Sequence, residues 1–203
     1  MAKTFIHSSA IVKTKNIGEG SYIGPFCNIT ERVVIEKNCK LIGWVSIGSA
    51  GQFKNPPKDC GNSVIIESGT EIREFVTINA PMDEITKVGR DSLLMTTCHV
   101  SHDTVLGHDV VLASGAHIAG YANVGNYCYI GLNASMHQFA KLGDYSIIGG
   151  NSFFKGESPM GITWAGVPAR PIKVNLINIE KNVKKEERQS IIIIAEQFIK
   201  GQL

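Results

Sequence analysis

Four of the six histidines in this chain of 203 residues fall in one short span: His99, His102, His108 and His117. The densest group is HVSHD, in which His102 is followed directly by Asp103. A neutral imidazole can take a proton from a hydroxyl or amine as that group attacks a thioester carbonyl, and a carboxylate beside it fixes the tautomer and stabilises the imidazolium. Adjacent residues often face different ways, so the spacing leaves a direct bond between His102 and Asp103 open. His99 and His117 stand eighteen positions apart, and His137 follows next to Met136. Any one of these histidines alone reads as an exposed residue without a task. Grouped in a regular stretch, they form a candidate general-base site.

The stretch that carries them is strictly periodic. Ile11, Ile17, Ile23, Ile29, Ile35, Leu41 and Ile47 fall six apart. The beat returns at Ile66, Ile72 and Ile78, then runs from Val88 through Leu94, Val100, Leu106, Leu112, Ile118, Val124, Ile130, Met136, Leu142 and Ile148 to Phe154. Neither a helix of period 3.6 nor a half-buried strand of period 2 returns an aliphatic residue every sixth position for so long. A hexapeptide repeat is a mark of parallel β-helices. Three six-residue rungs make one triangular turn, with stacked turns about 4.8 Å apart and each aliphatic pointing inward onto the residue eighteen away. Glycines that follow the aliphatic, such as Gly89, Gly107 and Gly131, and Asn or Asp two or three positions after it (Asn38, Asp91, Asp109, Asn126, Asp144), suit corners because they tolerate positive φ or bond nearby backbone. Side chains that do not point inward must point out, so the histidines belong on the outer wall. A wall is shallow, and a neighbouring copy is the natural second surface; three such prisms packed as a trimer would form three equivalent clefts.

The rungs break twice, at 49–63 and at 79–87. Both segments read as loops expelled from a corner, where binding elements are often placed. The coil is expected over 1–155, closing near Phe154. An extended exit segment and C-terminal helices follow over 156–203, the first helix striped by Leu176, Ile179 and Val183, the second by Ile191, Ile194, Ala195 and Phe198. The IIII run in the second also suits a strand. Lys181, Lys184, Lys185 and Arg188 read as a solvated face and a candidate dock for an acidic carrier protein. The formal net charge is +2, and the absence of a basic run with interleaved aromatics argues against nucleic acid. No apolar stretch reaches the length of a membrane span. MAKTFIHSSA has no apolar segment ahead of a cleavage site, which predicts a cytoplasmic protein. Cys27, Cys39, Cys60, Cys98 and Cys128 lack CxxC spacing and read as small apolar residues in a reducing compartment.

The run LLMTTCHVSHDTVLGHDVVLASGAHIAG, with EIREFVTI before it and MHQF and IIGG after it, resembles the UDP-N-acetylglucosamine O-acyltransferase family of hexapeptide-repeat enzymes. The resemblance runs from about Ile47 to Gly150. It implies a left-handed β-helix, a homotrimer, and transfer of an acyl chain from acyl carrier protein to a nucleotide sugar with no metal and no permanently bound cofactor. By position it implies that His102 is the general base, Asp103 its supporting acid, and Gly120 the residue whose backbone N–H meets the oxyanion. His99 matches a substrate-contacting histidine, His137 and Gln138 a pair near donor and sugar, Lys54 a lysine that meets the nucleotide sugar, and Gly150 a position that limits acyl length.

The chain departs from the family in three places. Tyr121 stands where the family has histidine, Asn79 opens the segment NAPMDE where the family has an RGT-type segment, and the helical tail is about half as long. Tyr121 and Asn79 therefore take substrate-side positions in altered form, and the acceptor is a nucleotide-linked sugar whose reacting group is a hydroxyl or an amine. The close AGVPARPI resembles that of small acetyl-CoA-dependent hexapeptide acetyltransferases. This makes acyl-CoA a second candidate donor, lying near Trp164 to Arg170 with Arg170 on a phosphate. Two other readings of such a coil are a non-catalytic assembly subunit and a γ-type carbonic anhydrase binding zinc through a His-x4-His pair; no two histidines here are five apart.

Overall fold

The computed structural model describes residues 3–54 and 63–201. Most of the expected 49–63 insertion, with Cys60, lies outside the described residues. The chain forms a three-sided left-handed parallel β-helix, the fold that the resemblance implied. Its faces are sheets of ten, eight and eight strands, most of them two residues long. Strands three apart along the chain pair in parallel: Leu94 lies over Leu112, Val100 over Ile118 and Leu106 over Val124. The inner columns are aliphatic and fully buried, from Ile23 to Phe154. Each such side chain contributes about 1.5–3 kcal/mol relative to exposure. Because every turn touches only its neighbours, this core is a line rather than a ball.

Both interruptions keep the aliphatic column aligned, and the pairing across the first shifts by one residue just after it, where Asn79 meets Ser49. Ile47 pairs with Ile78 across the first, and Ile78 with Val100 across the second. The aliphatic beat fails once, at the start. Val12, not Ile11, pairs with Ile29 in the inner column, and Ile11 faces solvent, because the first turn is one residue short.

The corners work differently from the sequence expectation. Gly89, Gly107 and Gly131 do not adopt positive φ. They are needed because the next turn passes too close: a Cβ on Gly131 would lie 2.5 Å from the Gly150 nitrogen. In most of the two-residue turns the second residue is left-handed, and it is as often aromatic as Asn or Asp, as with Trp44 (φ 50°), Phe75 (φ 62°), Tyr121 (φ 58°) and Asp103 (φ 55°). The cost of that conformation is offset by a backbone bond to the turn below, such as Tyr121 N–H to the His102 carbonyl at 3.1 Å. Ring stacking adds to it, as in the Phe26–Trp44–Phe75 column. Asn126 and Asp144 stay out of the left-handed region. Their side-chain oxygens instead accept the backbone N–H of His108 and Asn126 in the turn before.

The coil continues past Phe154. Strands Glu157–Ser158 and Ile162–Gly166 extend it, and Ala169–Val174 folds back antiparallel on the latter through a cis Val167–Pro168 bond. The expected extended exit is thus a partial turn and a hairpin, since Ile162 and Trp164 carry the inward pattern on. Helices α1 (Leu176–Asn182) and α2 (Lys185–Lys200) follow. The IIII run is helical: Ile191 and Ala195, four apart, are buried against the coil, while Ile194 and Leu176 face out. Glu186 and Glu187 in the first turn suit the helix dipole.

Candidate active site

The outward column of the second face runs Thr77, His99, His117 and Ser135. His99 and His117 meet edge to face with ring centroids 6.3 Å apart. The Thr77 hydroxyl lies 2.7 Å from His99 Nδ1. Burial, followed by the proximity of His117 and His102, holds His99 below the usual histidine pKa, which keeps it neutral.

At the edge of this face the chain turns, and the corner is made of His102 and Asp103. Their side chains bond directly, Nδ1 to Oδ2 at 2.8 Å. An ionised carboxylate only accepts, so in the neutral ring this bond puts the proton on Nδ1 and leaves the lone pair on Nε2. The pair faces outward, yet it is not exposed as the wall argument expected. The two side chains are 5% and 2% exposed, because Phe53 and the backbone of Met82 to Glu84 cover them. Phe53 packs on the imidazole at 4.7 Å. Met82, Asp83 and Glu84 donate three successive backbone N–H groups to the Asp103 carboxylate, at 2.9, 2.9 and 2.8 Å. Burial alone would raise the Asp103 pKa. These three bonds, with that to His102, outweigh it and hold the carboxyl below the usual range.

A second pair at the next corner shows what is special about the first. His108 Nδ1 bonds Asp109 Oδ2 at the same 2.8 Å. The corner geometry alone therefore makes the bond. The second pair is 22% and 38% exposed, and its carboxylate receives no comparable backbone donors among the described residues. Cover and preorganisation distinguish His102–Asp103.

The Cε1–Nε2 edge of His102 lies on Gly120, where a Cβ would come within 2.4 Å of both ring atoms. Among the described residues, the Gly120 N–H has no backbone acceptor. Beside this edge runs an open groove of about 380 Å³, lined by Gln52, Phe53, His99, Ser101, His117 and Gln138 among others. The geometry brings together an acceptor nitrogen, an unpaired amide and two further imidazoles.

His102, Gly120, His99 and Gln138 meet at the groove, with Asp103 behind them. His137 is exposed beside it, its Nδ1 on the Gln138 carbonyl and its ring edge on Phe153. Tyr121 does not line the groove; its hydroxyl donates to Asp83. Asn79 is buried at the root of the loops, its amide weakly bonded to the carbonyls of Ser49 and Ala50. Lys54 is exposed at the edge of the described loop. Gly150 belongs to the opposite corner of the face, against Leu132, and Arg170 lies on the closing hairpin. Trp164 cannot present a donor surface, because it is buried between Phe154 and Phe198. Arg188 is committed to the Val183 carbonyl at 2.9 Å. Sequence reasoning missed Gln52, Phe53 and Ser101 as lining residues. It stacked His117 on His99 without giving it a role.

Among the described residues, no group of three or more His, Cys, Asp or Glu side chains is arranged to hold a metal ion, and no helix is long and apolar enough to cross a membrane. Because the Asp103 carboxyl is held below its unfolded value, its contribution to stability is present above about pH 4 and lost as pH falls through the folded value. Asp103→Ala should therefore flatten the acid limb of stability against pH, measured by thermal melts between about pH 2 and 5.

In its three-sided hexapeptide coil this chain resembles the hexapeptide-repeat acyltransferases. Within that class the resemblance is to UDP-N-acetylglucosamine O-acyltransferase. No family model matches the chain. Acyl-[acyl-carrier-protein]–UDP-N-acetylglucosamine O-acyltransferases of Rickettsia canadensis and Rickettsia typhi are 34% and 33% identical to it over 125 residues, covering 51% of this chain and 47% of theirs. The chain spans about half the length of these curated relatives. The solved UDP-N-acetylglucosamine acyltransferase of Bacteroides fragilis is 27% identical with a TM-score of 0.76, covering 94% of this chain and 80% of that one. The enzyme of Moraxella catarrhalis is 26% identical with a TM-score of 0.70, covering 100% and 85%.

Proposed function

We propose that this chain transfers an acyl group from a thioester, carried by acyl carrier protein or CoA, to a hydroxyl or amine of a nucleotide-linked sugar. The observation that carries the reading is the covered His102–Asp103 pair, with its Nε2 edge on Gly120 at the head of the groove. His102 Nε2 takes the acceptor's proton as the acceptor oxygen or nitrogen bonds to the thioester carbonyl carbon. The Gly120 N–H meets the oxyanion that develops. The carbon–sulfur bond then breaks, and His102 returns the proton to the departing thiolate. Asp103 stabilises the imidazolium between these steps. No covalent enzyme intermediate is needed, because the thioester is already activated. His99, His117 and Gln138 contact the substrates along the groove, and His137 reaches them from its rim.

The groove is open on one side, and a second copy of the chain in a homotrimer closes it in this reading. The names of the relatives support acyl carrier protein as donor and UDP-N-acetylglucosamine as acceptor. The site of action is the cytoplasm, where thioester donors and nucleotide sugars are found. Purified protein incubated with UDP- and dTDP-linked sugars, amino sugars included, and either acyl-carrier-protein or CoA thioesters should release free thiol and yield a nucleotide sugar heavier by one acyl group, read by mass spectrometry. Thioester left intact across the whole panel would remove the reading.

A further inference from the structure

The Tyr121 side chain reaches the 79–87 loop. Its hydroxyl donates to the Asp83 carboxylate. The backbone N–H of the same Asp83, with those of Met82 and Glu84, donates to Asp103. Loop and coil are thus joined in both directions: the coil's carboxylate holds the loop's backbone, and the loop's carboxylate holds a coil hydroxyl. The Tyr121 ring has little freedom. Its neighbour on one side is the imidazole of His102, edge to face at 5.1 Å. On the other side Phe139 stacks on it at 4.9 Å and 15°. The bond to Asp83, then burial, pushes the phenol up to about 12, so it remains a donor across the working pH range.

We propose that Tyr121 is a positioning residue: by holding Asp83 it latches the 79–87 loop over the corner, keeps three amides on Asp103, and so keeps His102 aimed at Gly120. Its kinetic consequence rests on the acyl-transfer reading, whereas its structural consequence does not. An isolated surface contact would matter little, but this one closes a network in which each bond orients the next.

Tyr121→Phe keeps the ring and its stacking while removing the hydroxyl, and Asp83→Asn removes the charge at the other end. Each should lower amide hydrogen-exchange protection at Met82 and Glu84 by about 10-fold, the scale of one hydrogen bond. The double variant should lose no more than either single one. In transfer assays kcat should fall about 10-fold with KM for both substrates within about twofold, the pattern of a group that acts on the chemical step. Unchanged protection in both single variants would overturn the latch, whether or not transfer activity is observed. A raised KM with kcat held in Tyr121→Phe would return Tyr121 to substrate contact. Lost protection in a protein that transfers no acyl group would uphold the latch and overturn only the acyl-transfer reading.

Discussion

His102→Ala should lower turnover by about two to four orders of magnitude, the range of a positioned general base, while leaving the coil folded. Its side chain lies outside the aliphatic columns, so no stacked core residue loses its neighbour. Asp103 keeps three backbone donors after the substitution, and the loop it anchors should stay in place. Steady-state rates on a thioester donor, with circular dichroism confirming the fold, make the measurement. Near-normal turnover in a folded His102→Ala protein would remove the imidazole from the proton transfer. The same substitution at His108 should have little effect on rate. That pair has the same bond length but lacks the cover and the three backbone donors.

Gly120→Ala is the second large effect. The added methyl would fall 2.4 Å from His102 Cε1 and Nε2, well inside van der Waals contact. The imidazole cannot slide away freely, because Asp103 holds its other nitrogen and Phe53 and Tyr121 flank its ring. One methyl therefore disturbs both the base and the proposed oxyanion donor. A displacement of about 1 Å costs on the order of 100-fold, and the loss of an oxyanion donor about 100- to 1000-fold. We expect kcat to fall within that range. A Gly120→Ala protein that keeps full kcat would show that neither group works from this corner.

The parts of this molecule written in local period were legible. Eighteen-residue stacking placed His99 under His117 and set the columns within the uninterrupted stretches, Ile17 to Ile47 and Val88 to Phe154, because in a solenoid without insertions a residue's spatial neighbours lie at a constant distance along the chain. The glycines were read for the wrong reason. Their pattern was visible, but at Gly89, Gly107 and Gly131 it reflects the passage of the next turn rather than positive φ, and a close approach between turns leaves no mark of its own in a string of residues. The cover of the site was not legible. The three donors to Asp103 are backbone amides of Met82, Asp83 and Glu84, and any residue but proline has such an amide. Phe53 and Gln52 reach the groove from a loop with no period, so nothing in their spacing tied them to His102. The helical tail was uncertain because four isoleucines suit either geometry, and the burial of Ile191 and Ala195 on the coil decides it.

The twin corner pairs carry a wider lesson for this architecture. In this coil two corners that place an imidazole before a carboxylate, His102–Asp103 and His108–Asp109, are clasped in the same way, at the same 2.8 Å. A search for reactive centres in solenoids that scores only this contact would not separate the covered corner from the exposed one. Burial by a loop and inward-facing amides are the better discriminators. By the same reasoning, a designer seeking a new reactive centre on a blank coil would find the pairing almost ready-made and should direct the effort to the lid.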